Sequence, residues 1–440
     1  MSRIAIIGAG ISGLTAAKSL MDSHEITVYE KSETAGGLAQ SVKADGCVFH
    51  ICGANSMKNI SEKTQKFIEG IIDFGDEIIE LKRNSAILFE NGEVSKPEFH
   101  GMFKKKMTEI EGVPSPIENH IYMFKPEIQK RIIADIFRVK NREKNKRTPK
   151  FLATYFKAKF GQTLYDMYFG PYNEKVWHSD LRKIPLRWLE GRLSAPTADQ
   201  MIFANFNHDK SKFLCEKTFL YDINGGAQRL VNRLVEILGD RLRLNHAVEC
   251  IEHSGGKWIV DGEKYDQIVY CANLKLLPKI LHINEIKPFG SYIDSLKYHG
   301  TTSVFCELSK NPYTEIYLPG KEHRAHKIIC TGNFADTNNN DTHKMTGTVE
   351  FTDYVSEDEI KEELSRMPLN PIYITHRYTE YTHAIQDIDT HETVEKIKST
   401  LQPMGFYMTG LFAEWVQYNV NQAINAAINT VESMHNELNI

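Results

Sequence analysis

The chain lacks any strong excess of charge. Its 53 Lys and Arg stand against 57 Asp and Glu over 440 residues, a formal net of −4. No global positive field is available to recruit nucleic acid or an anionic membrane, so an anionic ligand has to be held by a local cluster. Cysteine is also scarce. The seven cysteines (Cys47, Cys52, Cys215, Cys250, Cys271, Cys306 and Cys330) are odd in number and contain no C-x-x-C. That excludes a disulfide framework or a zinc ribbon and reads as a reduced, cytoplasmic pattern. No uninterrupted apolar run reaches about 18 residues, so no membrane span is expected. Internal repeats and low-complexity tracts are missing as well. What remains, 41% hydrophobic and 25% charged residues, is an ordinary globular composition. Its length suits two to three domains.

The first residues carry the clearest signal. The apolar run after Arg3 is broken by three glycines and followed by a helical pattern, so it reads as structure and not as a signal peptide. Ile4 to Ile7 reads as a strand buried on both faces, Leu14 to Leu20 as a helix, and Glu25 to Glu30 as a second strand ending in an acid. Between the first strand and the helix lies Gly8-Ala-Gly10-Ile-Ser12-Gly13. Gly8 permits a tight turn, Gly10 lets the backbone approach a pyrophosphate, and Gly13 lets the helix pack on the strand. The helix N-terminus offers unpaired N–H groups to the phosphates, and Glu30 stands where a carboxylate accepts from ribose hydroxyls. Lys31 to Leu38 then contains the doublet Gly36-Gly37, which resembles the second fingerprint of the glutathione-reductase-type FAD proteins, a resemblance that implies FAD rather than NAD; a simple glycine hairpin is the alternative.

Further along, Ile60 to Phe74 predicts a helix, and Asn91-Gly92 a hairpin between Ser85–Phe89 and Glu93-Val94. The basic run Lys140 to Arg147 reads as a solvated helix face or linker, with a docking patch for an anionic partner as the alternative. Strands are expected at Phe219–Tyr221, Leu242–Asn245, Val248–Ile251, Lys257–Val260 and Gln267–Ala272, with a helix over Gln228–Leu238. A largely β stretch runs from Tyr292 to about Ile374 and contains a short helix at Glu357–Arg366; an amphipathic helix covers Ala423–Glu437. The fold class expected is α/β: a Rossmann-like FAD-binding domain of the glutathione-reductase type (1–60, 215–275 and 395–440), an inserted helical or mixed segment (61–214) and a mainly β substrate domain (276–394).

Two runs stand out for packing Trp, Tyr, Asn and Arg together: Pro171-Tyr172-Asn173-Glu-Lys175-Val-Trp177 and Trp188-Leu189-Glu-Gly191-Arg192-Leu-Ser-Ala195-Pro196. Flat aromatic walls beside a planar cationic fork would suit a nucleotide and a diphosphate; helix–helix packing is the alternative. With the N-terminal fingerprint, Gly36-Gly37, Asn224-Gly225-Gly226 and the closing Gly410 to Trp415, these runs resemble the UDP-galactopyranose mutase branch of the FAD-dependent amine-oxidase/protoporphyrinogen-oxidase superfamily.

That resemblance implies FAD as cofactor, held by Gly8, Gly10, Ser12, Gly13, Glu30, Lys31, Gly36, Gly37, Leu38, Val248, Asn421 and Gln422. It implies a nucleotide-diphosphate sugar as substrate, with Arg192 and Lys327 as the catalytic cations on the diphosphate. Tyr172, Asn173, Trp177, Trp188, Arg324, His383 and Tyr418 would bind the substrate. The chain departs from the mutases at Ala54, where they carry a histidine, and at His383, where they carry a tyrosine. The implied reaction is a ring interconversion without net oxidation, in which N5 of reduced flavin attacks the anomeric carbon and cations meet the departing diphosphate. NAD(P)H is the candidate reductant. A net-redox flavin oxidoreductase and an inactive FAD-binding protein are the alternatives. No metal site is expected: the 17 histidines form no H-E-x-x-H, and His323 and His326 read as polar surface. The sequence sets no oligomeric state.

Overall fold

The computed structural model describes residues 1–89, 112–143, 149–189, 195–207, 218–340 and 344–438. At its centre lies a parallel sheet of five strands, ordered Phe406–Met408, Gln267–Tyr270, β1 (Arg3–Ile7), β2 (Glu25–Tyr29) and Leu242–Arg243. β1 is central and apolar because both its faces are covered. Ile4 and Ile6 pack under α1 (Ile11–Leu20), the helix Gln228–Leu238 and the C-terminal helix Val420–Leu438. Ala5 and Ile7 face Trp258 of a three-stranded antiparallel sheet and the helix Thr390–Leu401. The alternation is the period of two that a strand imposes.

A second sheet of seven strands runs in the order Ile372–Ile385, Lys297–Leu308, Met345–Thr352, Lys327–Ile329, Glu315–Tyr317, Ser85–Leu88 and Gly112–Pro114. Its pairings are antiparallel except that of Ser85–Leu88 with Glu315–Tyr317, which is parallel. Helices Pro126–Glu143, Leu152–Leu164, Gly170–Trp177 and Ala198–Asn207 gather beside this sheet, with Phe124, Phe156 and Leu164 buried between them.

Several expected elements are altered, each for a local reason. The helix expected over Ile60–Phe74 spans Glu62–Glu69. Ser61 caps it by accepting from the Thr64 N–H at 3.2 Å, and it stops at Gly70. The strand expected over Val248–Ile251 begins only at Ile251. The N–H groups of Glu249 and Cys250 bond instead to Asp261 Oδ1, at 3.1 and 2.9 Å. The Asn91-Gly92 hairpin lies outside the described residues, as does the end of the basic run after Glu143; within the run, Lys140 pairs with Asp199 at 2.5 Å.

Candidate functional site

A cavity of about 1380 Å³ runs from the C-terminal edge of the parallel sheet to the seven-stranded sheet. The β1–α1 turn forms one end. Gly8 has φ +102, and a Cβ on Gly13 would lie 1.9 Å from the Gly8 carbonyl oxygen, so both positions exclude a side chain. A Cβ on Gly10 would meet nothing within 4 Å and would project into open space. Gly10 gives α1 no side-chain cap. The first-turn N–H groups of Ile11, Ser12 and Gly13 therefore have no intrahelical acceptor. Glu30 accepts from the Ala9 N–H (2.8 Å) and the Ser32 N–H (3.0 Å), which fixes the carboxylate at the cavity edge. Gln417, in the cavity wall, adds a buried side-chain oxygen with no hydrogen-bond partner among the described residues. Open backbone at Gly10, uncapped N–H groups, a fixed acid and an orphaned amide oxygen are what the pyrophosphate, ribose and ring of FAD require.

The residues expected around the cofactor divide by role. Gly8, Gly10, Ser12, Glu30, Lys31, Gly36, Gly37, Leu38, Val248, Asn421 and Gln422 line the cavity. Gly13 lies behind the turn as a packing contact. The Asn421 amide is spent on the Lys58 backbone: its Nδ2 donates to the Lys58 carbonyl at 2.8 Å and its Oδ1 accepts the Lys58 N–H at 3.1 Å. Gln422 exchanges bonds with Asn419 (3.0 and 2.9 Å), capping the C-terminal helix.

The other end of the cavity is aromatic and ionic. A π-helical turn at Tyr165–Phe169 precedes the helix Gly170–Trp177 and brings Tyr168 over Tyr172, with ring centroids 5.5 Å apart. Tyr317 meets Tyr172 edge-on at 5.3 Å, and Trp177 meets His383 at 5.3 Å. Below these rings, Lys327 Nζ lies 2.9 Å from Glu350 Oε2, and the Gly53 N–H donates to Glu350 Oε1 at 2.6 Å. Arg83 bonds Glu315 through Nε at 2.9 Å and through Nη2, and also reaches the Tyr317 hydroxyl at 2.6 Å. Burial would raise the Glu315 carboxyl, but Arg83 and Lys327 outweigh it and hold the group at about 2. Glu350 is likewise held well below the carboxylate range, against burial, by Lys327 and His326. Lys327 is raised because Glu350 and Glu315 outweigh its burial. His383 is pushed down to about 3, chiefly by burial, and stays neutral. Glu118, also in the cavity, is pushed up to about 7 by burial.

This geometry corrects three expectations. Lys327 lines the cavity, but its charge is met by two buried carboxylates rather than left for a diphosphate. Arg324 lies outside the cavity wall, in an exposed pair with Glu359 at 2.8 Å. His323 and His326 are buried, 4% and 3% exposed, instead of surface residues, because each packs against a carboxylate: Glu363 at 3.3 Å and Glu350 at 3.6 Å. Asn173 does not line the cavity but holds two residues that do: Trp177 Nε1 donates to its Oδ1 at 3.0 Å, and its Nδ2 donates to the Phe169 carbonyl at 2.8 Å. Tyr172, Trp177, His383 and Tyr418 do line the cavity. Trp188 lies on the short turn Leu186–Leu189, and Arg192 falls outside the described residues. Lys175 of the aromatic run is structural: its Nζ donates to the carbonyls of Leu318, Gly320, His323 and Ala325 at 2.5–3.2 Å.

Sequence reasoning missed Arg83, Glu118, Glu315, Tyr317, Glu350 and Arg377, all of which line the cavity. A signal existed for two of them. Glu315 and Glu350 are single charges inside otherwise uncharged strands, Glu-Ile-Tyr and Met-Thr-Gly-Thr-Val-Glu-Phe-Thr, and a charge buried in a strand demands a partner. Arg377 is exposed, and among the described residues no carboxylate pairs with it.

Comparison with known proteins places these features in context. The family model for flavin containing amine oxidoreductase matches residues 11–367. A reduced UDP-galactopyranose mutase has a similar fold, with a TM-score of 0.84 at 18% identity, covering 99% of this chain and 94% of that one. An Exiguobacterium protein described as a protoporphyrinogen oxidase follows at 0.73 and 15%, with 99% of both chains covered. The sequence is 28% identical to a Staphylococcus aureus 4,4'-diapophytoene desaturase over 126 residues, which are 24% of this chain and 25% of the desaturase. The chain thus matches about a quarter of that relative's length.

Proposed function

The chain belongs to the flavin-containing amine oxidoreductase family, and from that membership we propose an FAD-dependent enzyme acting on a nucleotide-diphosphate sugar, with ring interconversion as the favoured reaction. Family membership implies FAD, and the cradle of Gly8, Gly10, Glu30 and Gln417 fits it. Bound FAD supplies N5, which in reduced form is a nucleophile or hydride carrier.

The observation that carries the substrate class is the chamber next to that cradle. At about 1380 Å³ the cavity exceeds the roughly 300–1,000 Å³ usual for one ligand, which leaves room for a second molecule beside the cofactor. Its walls combine the rings of Tyr168, Tyr172 and Tyr317 with two buried carboxylates, Glu315 and Glu350, and their half-buried cations, Arg83 and Lys327. Aromatic faces cover the apolar face of a sugar, and the ionic network offers fixed partners for hydroxyls without a net charge. An apolar chain would cover those groups without offering their remaining donor and acceptor positions a partner. Arg377 lines the cavity, has no carboxylate partner among the described residues, and would meet a diphosphate together with Arg192. Glu118 can hold or release a proton near neutral pH.

The experiment is anaerobic turnover. FAD-reconstituted protein is reduced with dithionite or NAD(P)H and incubated with UDP-galactopyranose and a panel of nucleotide sugars. Many turnovers with the flavin still reduced are expected. Hydrogen peroxide or flavin reoxidation matching product one to one would establish net oxidation instead. A flavin spectrum that no nucleotide sugar perturbs would overturn the substrate class.

A further inference from the structure

We propose that His178, His299 and Asp353 form a binding site for a divalent transition-metal ion of the zinc class, just behind the Trp177–His383 wall of the cavity. The three residues meet only in the folded chain: His178 lies 175 residues and His299 54 residues before Asp353. His178 Nδ1 is 2.8 Å from Asp353 Oδ2, and His299 Nδ1 is 3.2 Å from both carboxylate oxygens. The ligand atoms all lie within 4.8 Å of one another. A tetrahedral ion with bonds of about 2.0–2.2 Å places neighbouring donors about 3.3 Å apart, so small side-chain shifts admit it.

Three separate elements deliver the donors. His178 ends the helix Gly170–Trp177 in a left-handed conformation, φ 39 and ψ 38. Asp353 follows the strand Met345–Thr352 with φ 64, and His299 sits at a register irregularity beside Thr301. The Gly300 N–H donates to Asp353 Oδ1 at 3.2 Å and orients the carboxylate. Without metal, both imidazoles can donate Nδ1–H to Asp353. With metal, each carries its proton on Nε2, and binding needs only a change of tautomer. Two nitrogens and one carboxylate oxygen leave a fourth position open. His178 and Asp353 side chains are 46% and 39% exposed, so water can fill it.

The ion would join two walls of the cavity. His178 follows Trp177, whose ring meets His383, and His383 is the register partner of His299 on the neighbouring strand. Thr352 already ties the same helix end by donating to the carbonyls of Lys175 (2.9 Å) and Val176 (3.2 Å). A second group, Cys250, Glu252 and His282, also gathers possible ligands. That group serves as the internal control.

The test uses chelator-treated full-length protein titrated with CoCl2 and ZnCl2. The expected result is about one equivalent bound at micromolar or tighter affinity, with a cobalt spectrum of tetrahedral nitrogen and oxygen ligation lacking a thiolate charge-transfer band. His299→Gln and Asp353→Asn should each weaken zinc at least roughly tenfold, and His282→Gln should not. The thermal midpoint should rise with ZnCl2 in the wild type and not in His299→Gln. Far-UV circular dichroism without metal checks that the variants fold. Binding no tighter than millimolar, equal affinity in both site variants, or a thiolate band would overturn the proposal.

Discussion

Replacing Lys327 with Met tests the ionic floor of the cavity. In the folded protein Lys327 Nζ is 2.9 Å from Glu350 Oε2, and Glu350 is 3% exposed. At that separation and an effective dielectric of 20 the gross attraction is about 6 kcal/mol. The net loss is smaller, because the stranded carboxylate keeps the Gly53 N–H and can take up a proton. Removing one partner of a buried pair typically costs about 3–5 kcal/mol. The Lys327→Met protein should lose that amount at pH 7.5, read from urea unfolding with coincident fluorescence and circular dichroism transitions. The loss should shrink at pH 5, where protonating Glu350 becomes cheap. Glu350→Gln in the Lys327→Met background keeps an oxygen for Gly53 and removes the stranded charge. It should recover at least about 1.5 kcal/mol relative to additivity. A single-variant cost below about 1 kcal/mol, or additivity within about 0.5 kcal/mol, refutes the argument that Lys327 is committed to Glu350.

Three further outcomes are expected. Gly10→Ala adds a methyl where the protein has nothing within 4 Å, whereas the Cβ of Gly13→Ala meets the Gly8 oxygen at 1.9 Å. Gly10→Ala should therefore leave the apoprotein's unfolding midpoint unchanged and weaken FAD at least roughly tenfold by fluorescence titration, while Gly13→Ala should lower the midpoint itself. Glu315 is held at about 2, below the roughly 4.3 of an unfolded glutamate. Its contribution to stability is complete above about pH 4.5 and is lost as the pH falls towards 2. The gap in unfolding midpoint between wild type and Glu315→Gln should be constant at neutral pH and close across that acid window. Arg377→Gln touches an exposed residue with no carboxylate partner among the described residues, so stability should hold while KM for a nucleotide sugar rises about tenfold or more; an unchanged KM removes Arg377 from the diphosphate site.

The dinucleotide cradle was legible in the amino-acid sequence because its chemistry is local. Within thirty residues the chain supplies a buried strand, glycines at the positions a pyrophosphate turn requires, a helix start and an acid, and backbone sterics leave that order few ways to fold. The helix Gln228–Leu238 was legible for a similar reason: its apolar residues recur at the helical period and end at Gly239. The far end of the cavity was decided by tertiary structure. Arg83 reaches Glu315 across 232 positions because Ser85–Leu88 pairs beside Glu315–Tyr317, and Lys327 meets Glu350 because their strands are adjacent in register. Local sequence specifies a strand's pattern but not its neighbour, and the neighbour decides whether a buried charge is free to bind a ligand or already neutralised. The same long-range pairing leaves Arg324 on the surface, seats His326 in the core, and brings His178 and His299 to one carboxylate.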